Sequence, residues 1–323
     1  MSLEHALEMQ ERSWQLESEG RLDEAACALR EAIGLMEVAE GSQSPDVANL
    51  LNELGAIEND RGDFDSAIRV GERAWQILVA LGGELTGEEA TQIRVRTLTV
   101  LGAACRSNAL YADGERHLKL ALELAQAEGG NDAEAVAFAR NELGMLYRYW
   151  GRFAEAARLY DRALFSITAL RDEDSLECAA LYHNVGGLEH ARRNFERAAA
   201  FGLRAWEISR AALGDDDPRA LLDAIGYGAA LEGLGQHALS EQIYREALPR
   251  LEKRLGARHV EIANLLHNLG AVVEARGDRP EAMRLYRRAL EIKESIFRGG
   301  HPEIGMTRRL LEGVRRSRAD VAE

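Results

Sequence analysis

In "NELGMLYRYWGRFAEAARLYDRAL", residues 141–164, apolar side chains stand at Leu143, Leu146, Phe153, Leu159, Tyr160 and Leu164. The spacing is helical, not alternating. It predicts two antiparallel helices joined by a tight turn at Gly151, where glycine tolerates the left-handed conformation that ends a helix. Nearly the same pattern returns 126 residues later as "HNLGAVVEARGDRPEAMRLYRRAL", residues 267–290.

The turn position recurs at Gly20, Gly62, Ala109, Gly151, Arg193, Gly235 and Gly277. The interval is 42 residues except for one of 47, where "LGGELTGEEA" carries a five-residue insertion. Seven residues before each turn stands a small residue: Ser13, Gly55, Gly102, Gly144, Gly186, Gly228, Gly270. Five after it come Ala25, Ala67, Gly114, Ala156, Ala198, Ser240 and Ala282. Twelve after it always stands alanine: Ala32, Ala74, Ala121, Ala163, Ala205, Ala247, Ala289. A period of this length marks a repeat architecture, and small residues at fixed helical positions let two helices approach closely.

This order of small residue, Gly, Ala, aromatic and Ala resembles the tetratricopeptide repeat. The 42-residue period and the loops "LGDDDPRAL", "FRGGHPEIG" and "GSQSPDVAN" are similar to the kinesin-light-chain type of that repeat. The resemblance implies an all-α fold: a right-handed α-solenoid of seven helix-turn-helix units plus a C-terminal capping helix. The expected units are 1–43, 44–90, 91–132, 133–174, 175–216, 217–259 and 260–301, with the capping helix and tail at 302–323. Arg308, Arg309, Arg315, Arg316 and Arg318 make that last helix polar, as a solenoid end requires. Such a fold hosts many unrelated binding roles.

Composition narrows the class. A 46% hydrophobic content suffices for a continuous core, and only 6% of residues are aromatic. Pro45, Pro218, Pro280 and Pro302 fall in turns or at helix starts, whereas Pro249 lies late in a second helix and is placed to end it early. A net charge of −14 leaves no basic nucleic-acid footprint. Lys119, Lys253 and Lys293 are the three lysines against 37 arginines, a bias toward bidentate carboxylate recognition or merely toward arginine codons. Cys27, Cys105 and Cys178 form no Cys-x-x-Cys pair, "MSLEHALEMQ" is not a signal peptide, and no stretch is apolar enough to span a membrane. The expectation is a cytoplasmic protein with reduced thiols.

Catalytic motifs are missing. Gly226 and Gly228 in "IGYGAALEG" imitate part of a dinucleotide fingerprint, but no strand precedes them and Gly228 holds the repeat's small position. His183 and His190 share a helix face, but their backbones are ~10 Å apart along the axis, too far to share one zinc easily. Asp215, Asp216 and Asp217 read as a solvated turn. Neither enzyme activity, metal nor cofactor is expected.

With the turn residue as position 15, the resemblance places positions 2, 5, 6, 9, 12 and 13 of each first helix on a concave face. Positions 5 and 6 hold Asn52 and Glu53, Asn141 and Glu142, His183 and Asn184, His267 and Asn268. In the family, asparagines here often bind the backbone of an extended peptide; the alternative is that they face water. The ladder is interrupted by Thr99 and Val100 and by Ile225 and Gly226. Position 12 reads Glu17, Asn59, Arg106, Arg148, His190, Glu232 and Glu274: acidic, then basic, then acidic. Arg96 adds to the basic middle, and Phe138 and Tyr149 supply aromatic surface. The patch either focuses a negative ligand or is neutralised within the groove, as by Arg148 with Glu142.

The expected function is therefore a non-enzymatic interaction module, a scaffold or adaptor whose groove binds an extended, acidic peptide or protein segment. Nucleic acid and membrane are not expected partners, and the oligomeric state is left open. The groove residues are Asn52, Arg96, Arg106, Phe138, Asn141, Arg148, Tyr149, His183, Asn184, His190, His267 and Asn268. The alternative is a regulatory receptor whose shape and partner affinity change on binding a short peptide signal.

Overall fold

The computed structural model describes residues 2–129, 134–297 and 300–319. Among the described residues there are fifteen α-helices and no strand. They run as hairpins: α1 (Ser2–Ser18) with α2 (Leu22–Glu40), α3 (Pro45–Asp60) with α4 (Phe64–Leu81), α5 (Glu88–Ser107) with α6 (Tyr111–Gly129), and α7 (Glu134–Tyr149) with α8 (Phe153–Leu170). Then follow α9 (Leu176–Ala191) with α10 (Phe195–Leu213), α11 (Pro218–Gly233) with α12 (His237–Leu255), α13 (Val260–Ala275) with α14 (Arg279–Ile296), and a last helix α15 (Pro302–Ala319). Helices α1–α8 belong to one compact unit and α9–α15 to a second. Each is α-solenoid in kind: helices pack on their hairpin partner and on the next hairpin.

The turns follow from backbone chemistry. All seven turn residues have positive φ: the five glycines run from 76° at Gly20 to 94° at Gly277, and the two that are not glycine comply, Ala109 at 58° and Arg193 at 65°. In each, the turn N–H reaches the carbonyl three residues back, and the next N–H reaches the one five back. Gly151 to Arg148 (3.1 Å) and Arg152 to Tyr147 (2.8 Å) are examples. This is the Schellman closure, which satisfies helix-end carbonyls that would otherwise be orphaned. Helices start on side-chain caps where the sequence supplies them, after the turn at Asp63 and Asp278 and after an inter-repeat loop at Ser175.

The repeating alanines are the contact points: Ala32, Ala74, Ala121, Ala163, Ala205, Ala247 and Ala289 are all buried. A second contact recurs in three hairpins. A Cβ on Gly144 would lie 2.6 Å from Tyr160 Cε1, and one on Gly228 or Gly270 would lie 2.7 Å from Cε1 of Tyr244 or Tyr286. The tyrosine ring lies directly on the glycine of the first helix. Where the second helix carries glycine instead, the next hairpin moves in: Gly71 faces Leu101 and Gly202 faces Tyr227.

One expectation is corrected. Helix α12 does not end at Pro249 but runs to Leu255, because the buried Tyr244, Ala247 and Leu251 hold its face in the core while the proline removes only one N–H. Gly256, at φ 84°, ends it. The 47-residue interval is absorbed by a single 3₁₀ turn, Gly82–Glu84, and by a longer α5. At the other end α15 buries Ile304, Leu311 and Val314, and the fully buried Lys293 ties α14 to it through Glu303 at 2.6 Å. Arg308 pairs outward with Glu294 at 2.6 Å, whereas the side chains of Arg316 and Arg318 lie outside those described.

Candidate functional site

Arg106 and Arg148 stand in the last turns of α5 and α7, where the carbonyl end of a helix favours a cation. Being one repeat apart, they meet at one ring. Arg148 Cζ lies 4.6 Å and Arg106 Cζ 5.5 Å from the centroid of Tyr149, which is 51% exposed. Glu142 supplies the nearby negative charge, but its Oε2 is 4.0 Å from Arg106 Nη2, the outer limit of an ion pair. Burial pushes the Glu142 carboxyl above its ordinary value, against the pull of Arg106 and the Asn141 amide. A carboxyl that resists ionisation is a poor neutraliser of Arg106.

Beneath them lies Tyr160. Its ring is seated on Gly144, and Arg148 follows one helical turn later on the same face. The Tyr160 hydroxyl is buried without a hydrogen-bond partner, and so is Nε of Arg106. Burial raises the Tyr160 pKa although both arginines act to lower it. The arrangement thus offers guanidinium donors beside the exposed aromatic face of Tyr149, the chemistry that receives a carboxylate.

Other expected groove residues are placed differently. Asn52 is 0% exposed and donates through Nδ2 to Thr97 Oγ1 at 2.8 Å. His183 Nδ1 lies 2.7 Å from Asp223 Oδ1, and His267 Nδ1 3.0 Å from Thr307 Oγ1. All three stand at position 5, and each joins its helix to the next first helix, α3 to α5, α9 to α11 and α13 to α15. The expected ligand ladder is in these places an inter-repeat clasp, because position 5 stands within hydrogen-bond reach of the next first helix. Burial, aided by Lys293, holds His267 down at about 4, so it is neutral at physiological pH.

Asn184 is buried, and His190 packs edge-on against Phe195 at 5.4 Å. Asn141 reaches Glu142 Oε1 at 3.4 Å, and Asn268 is half-buried. Arg96 is exposed but does not join Arg106: ten residues earlier on α5, it is ~15 Å away along the axis. It lines a separate cavity of about 310 Å³ with Leu3, Leu7, Met36 and Glu53. Phe138, 51% exposed, starts the same helix that Tyr149 ends.

Periodicity marks Tyr160 as apolar packing, and its hydroxyl is a feature the sequence pattern does not announce. A usable signal exists: tyrosine nine residues after the turn coincides with glycine seven before it in three hairpins. Among the described residues no three His, Cys, Asp or Glu side chains gather as a metal site, and no helix is long and apolar enough to cross a membrane.

Known proteins share this architecture. The Tetratricopeptide repeat family model matches residues 94–164, 177–253 and 222–295. Tetratricopeptide repeat protein 23 of Rattus norvegicus is 25% identical over 181 residues, 55% of this chain and 39% of that protein, so the chain spans well under half of that relative. A solved Podosopora anserina protein of nearly identical, kinesin-light-chain-type TPR-like repeats aligns at a TM-score of 0.50 and 17% identity, covering 65% of this chain and 98% of that one. A Rap protein solved in complex with the competence and sporulation factor aligns at 0.57 and 13% identity, covering 99% of each chain.

Proposed function

The chain belongs to the tetratricopeptide repeat family, and on that premise we propose that it is a protein-interaction module whose Arg106–Arg148 pair receives a carboxylate from an extended peptide or protein segment. One observation carries the reading: guanidiniums from two adjacent repeats are gathered on the exposed Tyr149 ring, and the Glu142 carboxyl beside Arg106 stands 4.0 Å off. An Asp or Glu side chain, or a free C-terminus, relieves the repulsion between two guanidiniums so placed. Each charged hydrogen bond contributes ~1.5–3 kcal/mol where water is excluded. The proposal places the protein among adaptors rather than enzymes, acting by recruiting a partner.

A displayed library of random peptides tests it. Selection should enrich Asp, Glu or a free C-terminus. The enriched peptides should lose affinity for the Arg106→Glu, Arg148→Glu double variant and bind more weakly as salt rises. A pool without carboxylates, or one indifferent to the double reversal in a variant that melts normally, overturns the reading.

A further inference from the structure

Ten residues before Arg106, Arg96 lines a cavity of about 310 Å³ that gathers side chains from α1, α2, α3 and α5. Small-molecule sites run from ~300 to 1,000 Å³, so this space suits a ligand at the small end of that range. Its apolar side is made on α1 by Leu3 and Leu7, one turn apart and 41% and 47% exposed. The buried Met36 and Leu50 complete it. Among the described residues no aromatic ring lines it.

The polar groups of the cavity are of both signs and are not spent on each other. Arg96 is exposed and makes no hydrogen bond or ion pair among the described residues. On α3, Glu53 is held in place by two neutral donors from α1, Gln10 Nε2 to Oε1 at 2.9 Å and Trp14 Nε1 to Oε2 at 3.0 Å. Among the described residues no cation pairs with it, and each of its oxygens keeps a further lone pair. Asp46, in the first turn of the same helix, adds a second carboxyl to that side. The half-buried Asn49 amide between them makes no hydrogen bond among the described residues. A guanidinium and a carboxylate that line one cavity without pairing leave room for a molecule that carries both complementary charges.

We infer that this cavity binds a free aliphatic α-amino acid, with its carboxylate on Arg96, its ammonium on Glu53 and its side chain against Leu3, Leu7 and Met36. A guanidinium presents paired donors that match a carboxylate, and an ammonium offers three donors to carboxylate and amide oxygens. Burying the aliphatic chain against the α1 side removes apolar surface from water on both partners. An inorganic anion is repelled by Glu53 and Asp46, and a metal ion by Arg96. The last residue of a peptide supplies the carboxylate without the ammonium, and the first residue supplies the reverse. A free amino acid has both on one carbon. Such a ligand touches α1, α3 and α5 at once and ties three hairpins of the α1–α8 unit together. The site does not depend on the Arg106–Arg148 reading.

Calorimetry on the whole chain tests it with four probes: L-leucine, N-acetyl-L-leucine, L-leucinamide and glycine. L-Leucine should bind saturably at one site. Blocking its ammonium, replacing its carboxylate or removing its side chain should each weaken binding at least tenfold. Variants then assign the charges. Arg96→Gln should bind leucine no better than leucinamide, and Glu53→Gln should narrow the gap between leucine and N-acetyl-leucine. Because Arg96 holds no partner, its variant should melt with wild type, so the decisive comparison is made in a folded protein. The Arg106→Glu, Arg148→Glu variant should bind leucine as wild type does, which separates this site from the proposed carboxylate site. No saturable binding of leucine overturns the assignment, and so does glycine binding equally well. N-acetyl-leucine or leucinamide matching leucine overturns it in favour of a peptide terminus. An undiminished preference for leucine over leucinamide in Arg96→Gln, or loss of leucine binding in the double reversal, moves the ligand elsewhere and overturns it as well.

Discussion

Arg106 and Arg148, one repeat apart in sequence, converge on a single ring, with guanidinium carbons 5.5 and 4.6 Å from the centroid of Tyr149. The ring holds two like charges side by side at an exposed surface. Removing it by Tyr149→Leu should weaken carboxylate-peptide binding about two- to fivefold, the equivalent of the ~0.5–1 kcal/mol of an exposed cation–π contact. Tyr149→Phe should leave affinity unchanged in calorimetry. Equal loss in both would assign the effect to the phenol hydroxyl.

Ala109 and Arg193 occupy turns whose φ of 58° and 65° penalise any residue with a Cβ. Ala109→Gly and Arg193→Gly should each gain ~0.5–1 kcal/mol, net of the larger chain entropy that glycine loses. Urea midpoints should move up at unchanged m-value. A fall would show that tertiary contacts, not backbone strain, set these turns.

Glycines in this chain should answer to alanine with opposite signs. At Gly144, Gly228 and Gly270 the new methyl meets a tyrosine ring at 2.6–2.7 Å, and the cost should be ~1–3 kcal/mol of overpacking. At Gly34, inside α2, nothing lies within 4 Å, and Gly34→Ala should stabilise by ~0.5–1 kcal/mol. Thermal melts of the four variants measure both; destabilisation at all four positions would contradict the seat geometry.

Stability should depend on pH through Glu232. Burial raises its carboxyl from 4.5 to about 7. A group whose pKa is raised by folding stabilises the protein fully below its unfolded value, and that contribution is lost as pH rises through the folded value. Between pH 4.5 and 7, wild type should therefore lose ~1–3 kcal/mol more than Glu232→Gln. Parallel urea curves for the two proteins across that window would place Glu232 in water.

Much of this molecule is legible from the chain alone because much of it is local. A turn that needs positive φ leaves glycine at Gly20, Gly62, Gly151, Gly235 and Gly277, and helix closure follows from backbone hydrogen bonding within six residues. Small residues at fixed positions report close helix contact without revealing what touches them. Arg106 and Arg148 meet because 42-residue spacing stacks equivalent positions of adjacent hairpins.

What only the tertiary structure decided is which face of each first helix the next hairpin covers. Asn52, His183 and His267 share a position with Asn141, yet they are clasped to Thr97, Asp223 and Thr307, partners 45, 40 and 40 residues away. Arg96 departs from Arg106 because ten residues of helix carry it along the axis to another recess. The Tyr286 hydroxyl meets Glu274 only because a glycine lets the ring approach and brings the oxygen under the residue one turn beyond. Periodicity records that a side chain is apolar enough to be buried; whether its one polar atom finds a partner depends on atoms from elsewhere in the chain, and that is settled by packing.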